Sequence, residues 1–323
     1  MPEISVLIPS YNRADLLPRA LDSVWQQDFD DLEVLVVDDG SSDGTIPWLD
    51  QQKKIHPQLR YVIHDRNKGE AAARNTALRE ARGTYVAFLD SDDEWLPGKL
   101  AAQHRHMTSA SPDVAAVITA AYLVDGETKT LADDWHLHEL VTVRRLLVKG
   151  CGLNLNNTIL MKRETALAAG DYDESLRLYV DLDWLMRFLS KGRVDVIPEP
   201  YAIYYKAPWR GGRLVEKAAQ AFRRKNAAAF AALSPSDRRR AAATLAWNSA
   251  ICYRSDGDKW NYLRQASKAL GLWPWVPIGN YIAIPDMLAG GRLLPALRHL
   301  RSRLAGAGHD KLPDTSPRNH CGK

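Results

Sequence analysis

The chain has 323 residues, of which 46% are hydrophobic and 25% charged, a composition typical of a folded globular protein. This length suffices for one large domain and a smaller appended region. Three scattered cysteines, Cys151, Cys252 and Cys321, lack metal-ligand spacing, which favours a reducing compartment over a disulfide framework. The first residues lead directly into an apolar run without a charged leader or cleavage site, so we expect no signal peptide and a cytoplasmic protein.

Charge is divided unevenly along the chain. Residues 1–212 contain 24 Lys and Arg against 32 Asp and Glu, a net charge of −8, whereas residues 213–323 contain 19 against 7, a net charge of +12. Because such a split suggests two regions with different partners, we predict one domain over 1–212 and a helical region over 213–304. The Gly-, Pro-, Asp- and Ser-rich stretch over 305–323 predicts a disordered tail.

Strands and helices alternate through the first ninety residues. Apolar runs over 4–8, 34–37, 60–64 and 85–89 predict strands, and the intervening segments have helical periodicity or strong helix formers, as over 71–81. Alternation of this kind predicts a doubly wound, mainly parallel sheet in a Rossmann-like α/β fold.

Beyond residue 90 the pattern is less regular and then becomes helical. The spacing of apolar residues over 178–189 predicts an amphipathic helix. From Leu214 to about residue 270 the chain is alanine-rich and helical, with breaks at 234–235 and 256–257. Further strands are predicted at four positions: 114–124, 157–161, 194–197 and 201–205.

Two acidic residues, Asp90 and Asp92, follow the fourth predicted strand with only Ser91 between them. In an open α/β sheet, ligands bind beyond the carboxyl ends of the strands. Two carboxylates there can hold a hard cation such as Mg²⁺ or Mn²⁺ together with substrate phosphates. An isolated Asp-x-Asp is more often a solvated acidic turn, so the interpretation depends on the rest of the chain.

The segments after the first two predicted strands fall at the same edge of the sheet. The backbone at Pro9 and the ring of Tyr11 could flank a planar base, and Arg13 could reach a phosphate. Asp39 could accept an N–H from a nucleobase or hydroxyls from a ribose. The structural alternatives are a helix N-cap in the first segment and a simple turn in the second.

A third segment brings two basic residues to this edge. Lys68 lies in a loop that opens a helix, and Arg74 follows on that helix. Helix N-termini and basic side chains favour a diphosphate, although a solvated basic face explains them equally well in isolation. Neither Gly-x-Gly-x-x-Gly nor a Walker-type loop follows the first strand, so the sequence does not favour a dinucleotide or P-loop site.

The helix predicted over 178–189 carries an acid in an unusual position. At 100° per residue, Asp181 lies at the edge of the apolar face, where a partly desolvated carboxylate suits a general base. Asp183 and Arg187 lie opposite the apolar face with i, i+4 spacing, which predicts a surface ion pair. An acid on the helix surface without a chemical role is the alternative for Asp181.

In this order and spacing, the segments resemble the family 2 glycosyltransferases, which are inverting enzymes with a GT-A fold. The resemblance covers roughly residues 3–206. It rests on the following motifs: Ser5-Val6-Leu7-Ile8-Pro9-Ser10-Tyr11-Asn12-Arg13, Val36-Val37-Asp38-Asp39-Gly40-Ser41-Ser42-Asp43-Gly44-Thr45, Asn67-Lys68-Gly69, Ala73-Arg74-Asn75, Phe88-Leu89-Asp90-Ser91-Asp92-Asp93, Gly170-Asp171-Tyr172-Asp173-Glu174 and Asp181-Leu182-Asp183.

The resemblance implies a role for four acids. Asp39 would bind the base of a sugar nucleotide, Asp90 would face the ribose, and Asp92, within a DXD motif, would ligate Mn²⁺ or Mg²⁺. Asp181 would deprotonate the acceptor hydroxyl. The other predicted contacts to the sugar nucleotide are Pro9, Tyr11, Arg13, Lys68, Arg74 and Ser91.

Two positions depart from the family pattern. The family usually has Glu before the catalytic Asp, where this chain has Val180, and many members have His where this chain has Ala207. A nearby basic residue could take the place of that histidine as a diphosphate or metal contact: Lys206, Arg210 or Arg213. The Gln-x-x-Arg-Trp signature of processive synthases is absent, which favours the addition of a single sugar.

The expected function is therefore the metal-dependent, inverting transfer of a sugar from a nucleoside diphosphate sugar, such as a UDP or dTDP sugar. The acceptor would be a hydroxyl of a glycan or of a lipid-linked glycan, in bacterial surface polysaccharide synthesis. A sugar-nucleotide-binding module that has lost transfer is one alternative, motivated by Val180 and Ala207. A nucleotidyltransferase is another, although it would be expected to carry a glycine- and arginine-rich loop after the first strand.

The C-terminal region predicts contact with a membrane surface. Residues 272–284 are apolar and rich in Trp but too short and too Pro-interrupted to span a bilayer. A basic amphipathic helix over 292–304 completes a segment, 272–304, suited to the anionic inner face of the cytoplasmic membrane. Packing on the catalytic domain or on a second protomer, as a homo-oligomer, is the alternative. No nucleic-acid-binding module is recognisable, so nucleic acid is not an expected partner.

Overall fold

The computed structural model describes residues 1–132, 140–150, 155–206 and 211–273. Within these ranges the strands are β1 (Ile4–Ser10), β2 (Leu32–Asp38), β3 (Leu59–Ile63), β4 (Tyr85–Phe88), β5 (Glu94–Trp95), β6 (Val114–Asp125), β7 (Thr128–Leu131), β8 (Ile159–Lys162) and β9 (Arg193–Tyr205). The helices are α1 (Leu17–Trp25), α2 (Thr45–Ile55), α3 (Glu70–Glu80), α4 (Lys99–Ser109), α5 (Val143–Lys149), α6 (Leu155–Thr158), α7 (Arg163–Ala168), α8 (Val180–Phe188), α9 (Gly212–Lys225), α10 (Ala227–Ala231), α11 (Pro235–Ser255) and α12 (Lys259–Leu272).

The described strands form one mixed sheet in the order β3-β2-β1-β4-β8-β6-β9-β5, with β7 paired to β6. The pairs among β1, β2, β3 and β4 are parallel, as the alternation of strands and helices predicts. The strand β8 is antiparallel to both of its neighbours, β4 and β6. The expectation of a mainly parallel, doubly wound sheet is thus confirmed for its first half.

Apolar side chains cover both faces of this sheet. Along β1, Leu7 packs into one apolar cluster, whereas Val6 and Ile8 pack into a second cluster on the opposite face. The continuous apolar run of β2 divides in the same way, which explains why it shows no polar alternation. Because helices cover both faces of the sheet, the ends of the strands are the part of the sheet that stays accessible.

The strand β9 differs from the prediction. The sequence predicts two short strands over 194–197 and 201–205, but the structure has one strand of 13 residues. Its pairing with β6 shifts register where Ile197 is followed by Pro200. Proline has no N–H to donate, so the ladder skips a step and the strand continues as a bulge.

The C-terminal helices pack directly on the α/β region. The apolar cluster on one face of the sheet includes Phe222, Phe230 and Leu245, all beyond residue 212. The predicted helical breaks near 234 and 257 are confirmed, since α11 begins at Pro235 and α12 at Lys259. The division into domains at residue 212 stays a prediction.

No helix among the described residues is long and apolar enough to cross a membrane. The segment predicted to lie on a membrane surface, 272–304, falls outside the described residues except for its first two positions, and the tail over 305–323 falls wholly outside them.

Candidate functional site

The candidate site lies where β1, β2 and β4 end at one edge of the sheet, because these strands are parallel. The two loops after β1 and β2 are joined by hydrogen bonds. The Asn12 N–H donates to Ser41 Oγ at 2.8 Å, and the Ser42 N–H donates to Asn12 Oδ1 at 2.9 Å. Gly40 has φ +77°, and a Cβ there would lie 2.7 Å from the Arg66 carbonyl carbon, so only glycine fits this approach.

Asp39 is held from three directions by neighbouring groups. The backbone N–H of Lys68 donates to Oδ1 at 2.9 Å, and that of Gly69 donates to Oδ2 at 2.7 Å. The Nδ1 atom of His64 lies 2.6 Å from Oδ1. The carboxylate is 3% exposed, so its orientation is set before any ligand arrives.

His64 is a residue that the sequence interpretation missed. Its other ring nitrogen, Nε2, lies 2.9 Å from Thr76 Oγ1 on α3, so the buried ring spans from Asp39 to that helix. Because the Asp39 carboxylate accepts, Nδ1 donates to it and Nε2 accepts from the Thr76 hydroxyl in the neutral ring. The available signal was its position directly after β3, at the same edge as the other site residues.

Arg74 is the centre of the site. Its guanidinium is 2% exposed and donates through Nη1 to Asp181 Oδ1 at 2.8 Å and through Nη2 to Asp90 Oδ1 at 2.9 Å. Its Nη2 also lies 2.5 Å from Glu70 Oε1. Although burial opposes its charge, the carboxylates of Asp181, Glu70 and Asp90 raise the pKa of Arg74 well above its usual value. Residues 107 positions apart are thereby brought together, which the sequence did not reveal.

The acids of the turn after β4 have different surroundings. Asp92 is partly exposed, with Arg13 Nη2 at 3.5 Å from its Oδ2. Asp93 is buried, and it accepts from the Tyr205 N–H at 2.9 Å and from Asn157 Nδ2. Burial and, next, the charge of Asp90 raise the pKa of Asp93 to about 8.

The donor set of the turn fits a divalent cation bound partly by substrate. Burial and then the charge of the neighbouring Asp90 carboxylate raise the pKa of Asp92. A Mg²⁺ or Mn²⁺ ion would relieve this repulsion, and such ions use one or two carboxylates together with substrate phosphates. Among the described residues there is no group of three or more His, Cys, Asp or Glu placed to hold a metal by themselves.

The remaining predicted contacts are distributed around the same edge. Tyr11 is 43% exposed and free to contact a planar group, and Pro9 lies within β1. Ser91 is buried in the turn. The Nζ of Lys68 pairs with Asp65 at 2.7 Å, so it is the backbone of Lys68 that contacts the site. Ala207 lies outside the described residues.

The first turn of α8 carries Asp181 with its side chain 37% exposed. The residue before this helix, Tyr179, has φ +62°, an uncommon backbone conformation for a residue with a Cβ. The predicted surface ion pair of Asp183 and Arg187 is wrong in one respect. Arg187 does lie 3.3 Å from Asp183, but Asp183 is only 1% exposed because α9 covers it.

The loop before α8 is attached to α3 by Asn75. Its Nδ2 donates to the Tyr172 carbonyl at 2.9 Å and to Glu174 Oε1 at 3.0 Å, and its Oδ1 accepts from the Tyr172 N–H at 2.7 Å. Asn75 follows Arg74 in the chain and is 1% exposed. The motif that contains Arg74 and Asn75 therefore contacts the motif over 170–174, about a hundred residues further along the chain.

Comparison with solved structures identifies the class to which this fold belongs. The structure aligns with that of TarS residues 1–349 from S. aureus in complex with UDP over 83% of this chain and 90% of that chain, with a TM-score of 0.55 and 19% identity. It also aligns with mannosyltransferase PcManGT from Pyrobaculum calidifontis, in complex with GDP-Man and Mn²⁺, over 95% and 86% of the two chains, with a TM-score of 0.57 and 23% identity. The fold is that of the GT-A glycosyltransferases, as predicted.

The family follows from the sequence comparison. The family model described as Glycosyl transferase family 2 matches residues 5–167, just over half of the 323 residues, and the chain belongs to this family. It is 44% identical over 110 residues to the putative teichuronic acid biosynthesis glycosyltransferase TuaG of Bacillus subtilis, which is 34% of this chain and 44% of TuaG. It is 42% identical over 101 residues to the GalNAc(5)-diNAcBac-PP-undecaprenol beta-1,3-glucosyltransferase of Campylobacter jejuni, 31% of this chain and 33% of that protein.

These curated relatives thus match this chain over less than half of their own length. The predicted family and the class of glycosyltransferases are confirmed. The matched family region ends before α8, so Asp181 lies outside it, whereas its partner Arg74 lies within it.

Proposed function

We propose that this protein is a metal-dependent, inverting glycosyltransferase that moves a single sugar from a nucleoside diphosphate sugar to an acceptor hydroxyl. The observation that carries the proposal is the contact of Arg74 with both Asp90 and Asp181. One guanidinium joins an acid of the strand-end turn to an acid on α8. A sugar held over the turn therefore has a base beside it.

The donor half of the site comprises Asp39, His64, the backbone at 68–69 and the acids of the turn after β4. Asp39 is oriented by its three hydrogen-bond donors and would accept an N–H of the nucleobase. Tyr11 is exposed at the same edge and would cover the plane of the base. The solved neighbours in complex with UDP and with GDP-Man support a nucleotide donor.

Asp92 would hold the cation. Phosphates of the substrate, bound at the turn around Asp92, would supply further ligands. A bound divalent ion would supply charge neutralisation for the departing diphosphate. Arg13, whose guanidinium lies 3.5 Å from Asp92, would contact the same phosphates. Lys68 stays a proposed diphosphate contact on the basis of its place in the loop.

The acceptor half centres on Asp181. Its carboxylate would take the proton from the acceptor hydroxyl while the hydroxyl oxygen forms a bond to the anomeric carbon. The bond from that carbon to the diphosphate oxygen breaks on the opposite face, so a single displacement inverts the configuration. Arg74 would keep the Asp181 carboxylate aimed, because it donates to one oxygen, Oδ1, and leaves the exposed part of the carboxylate to the acceptor.

The acceptor we propose is a glycan or lipid-linked glycan of bacterial surface polysaccharide synthesis. The support is the likeness to two relatives, a putative teichuronic acid biosynthesis glycosyltransferase and a glucosyltransferase that acts on an undecaprenol-linked glycan. Attachment to the inner face of the membrane through 272–304 remains part of the proposal.

A binding and turnover panel tests this function. Thermal shift with UDP, dTDP and GDP sugars, with and without Mn²⁺, should reveal one metal-dependent ligand. Release of nucleoside diphosphate from that donor should follow, fastest with an acceptor glycan. Release of pyrophosphate would instead identify a nucleotidyltransferase. Metal-dependent binding without transfer or hydrolysis would identify a binding module that has lost transfer.

A further inference from the structure

The C-terminal end of α9 makes two sets of contacts, one with the residue before α8 and one with an acid in the first turn of α8. Phe222 stacks on Tyr179, with ring centroids 5.4 Å apart and planes inclined by 29°. Lys225 Nζ lies 2.8 Å from Asp183 Oδ2, and Asn226 Nδ2 donates to Asp183 Oδ1 at 2.9 Å. These five residues, which we call the α8–α9 junction, fix the residue before α8 and an acid in its first turn.

The α8–α9 junction also contacts the loop that leads into α8. Lys225 Nζ forms an ion pair with Asp173 in addition to Asp183, so one ammonium joins the loop to the helix. The hydrogen bond from Lys225 and, next, that from Ser175 lower the pKa of Asp173 to about 2. Asp183 itself is 1% exposed, and a buried carboxylate is tolerated only when its charge is paired and hydrogen-bonded.

Asp181 and Asp183 lie in the same turn of α8 and point to different neighbours. Two residues apart on a helix differ by about 160° around its axis. Asp181 accordingly contacts Arg74 of α3, whereas Asp183 contacts Lys225 and Asn226 of α9. The first turn of α8 is thereby held from both sides, and its rotation about the helix axis is fixed.

We propose that Lys225 and Asn226 are positioning residues that hold α8 so that the Asp181 carboxylate faces the acceptor hydroxyl. The inference rests on the proposed function, since it assigns Asp181 the role of base. It gives the first C-terminal helix a part in catalysis, although the sequence predicted a separate region there. Displacement of a reacting group by about 1 Å can cost on the order of 10²-fold in rate.

The test uses the full chain and four substitutions at three adjacent positions. Lys225→Met removes the charge and keeps most of the side-chain length. Asn226→Ala removes one hydrogen-bond donor to Asp183, together with the 3.2 Å hydrogen bond of the same Nδ2 to the Phe222 carbonyl. Arg224→Met is the matched control, because Arg224 lies in the same turn of α9 and is exposed. Lys225→Arg keeps the positive charge and serves as the conservative rescue. For each variant, transfer kcat, the KM of the donor and the thermal midpoint are measured.

We expect Lys225→Met to lower kcat by about 10- to 100-fold and Asn226→Ala by about threefold to tenfold, with the donor KM within about twofold. Lys225→Arg should recover most of kcat, and Arg224→Met should match the wild type. Because Asn226→Ala leaves both ion pairs intact, it reports on positioning even if Lys225→Met fails to fold.

A wild-type kcat in Asn226→Ala together with a wild-type kcat in folded Lys225→Met would overturn the inference. A rise in donor KM as large as the fall in kcat would also overturn the inference, because the junction would then act on donor binding. A wild-type protein that turns over no sugar nucleotide would instead overturn the proposed function, and the inference with it.

Discussion

The two halves of the site are held in place by different forces. On the donor side, Asp39 is fixed by two backbone N–H groups and one imidazole, all within a few residues of the strand ends. On the acceptor side, Asp181 depends on Arg74, and its helix on charged contacts from Asp183 to Lys225 of α9. A substitution of a side chain does not remove the two backbone N–H groups that donate to Asp39. A substitution can remove one partner of an ion pair at a buried site, and the other charge is then left unpaired.

The two halves also differ in how far apart their residues lie in the chain. The matched family region contains the donor half and ends before α8. The donor half therefore follows motifs close together in sequence, whereas the acceptor half is assembled from three distant segments. Variants should accordingly affect donor affinity on one side and catalytic rate on the other.

The largest effect is expected for Asp181→Asn. Loss of a general base typically costs 10²–10⁴ in rate, so kcat should fall by about that factor. The amide can still accept from Arg74, so the helix should keep its place and the donor Kd should remain within about twofold of the wild type. Steady-state kinetics and a thermal shift with the donor check both statements. A loss of less than tenfold in kcat would remove Asp181 from the role of base.

Arg74→Met should affect both halves, because Arg74 contacts Asp181 and Asp90. We expect kcat to fall by about 10²-fold and the donor KM to rise, since both acids lose their common partner. The free energy of unfolding should drop by about 3 kcal/mol, the lower end for breaking a buried pair, because Asp181 is partly exposed. Chemical denaturation and steady-state kinetics measure these changes.

Arg79→Met is the matched control on the same helix. Its ion pair with Asp171 is exposed, and exposed pairs contribute only about 0–1 kcal/mol. If Arg79→Met were as damaging as Arg74→Met, the effect would belong to α3 as a whole and not to the contact between the two halves.

His64→Leu should weaken the donor half alone. Without the imidazole, Asp39 loses one of its three donors, and we expect the donor KM to rise about tenfold, equivalent to about 1.4 kcal/mol, with kcat little changed. His64→Asn, whose amide can donate in place of Nδ1, should lie closer to the wild type. Thr76→Val removes only the far contact of the ring and should have a smaller effect. A fall in kcat at unchanged KM would contradict this division of roles.

The smallest effect concerns the ion pair between Asp173 and Lys225, whose contribution to the stability of the fold depends on pH. The folded pKa of Asp173, about 2, lies below its value of about 3.9 in an unfolded chain. Its pairing with Lys225 therefore stabilises the fold above about pH 4, and this contribution disappears as the pH falls through 2. Asp173→Asn should melt below the wild type at pH 6, and the gap should close between about pH 4 and pH 2. A gap that stays constant across this range would refute the ion pair.

Much of the fold follows from short-range patterns. The strands β1 to β4 and the helices between them lie within a few residues of their predicted positions, because burial on both faces requires continuous apolar runs. The single strand β9 was not predicted, since its prolines suggested an end where the structure has a bulge. The acids at the strand ends were found because the topology of parallel strands places them together.

The partners of those acids were not predictable in the same way. Asp183 has the spacing of a surface ion pair, and only the packing of α9, 42 residues away, buries it. Asn157 supports the turn at Asp90 from 67 residues away and shows no local signal. Periodicity describes how a side chain is placed on its own helix or strand. It contains no information on which distant segment covers that side chain.

The sequence by itself indicated the family, through the order and spacing of its motifs. It also predicted parallel strands in the first half of the sheet and acids gathered at the ends of those strands, since these depend on local periodicity and on strand direction. The tertiary structure alone decided which acids are paired, buried or left accessible, since this depends on contacts between segments far apart in the chain. Asp92, Asp93, Asp181 and Asp183 have the same side chain. Burial and the donors around each carboxylate make them different.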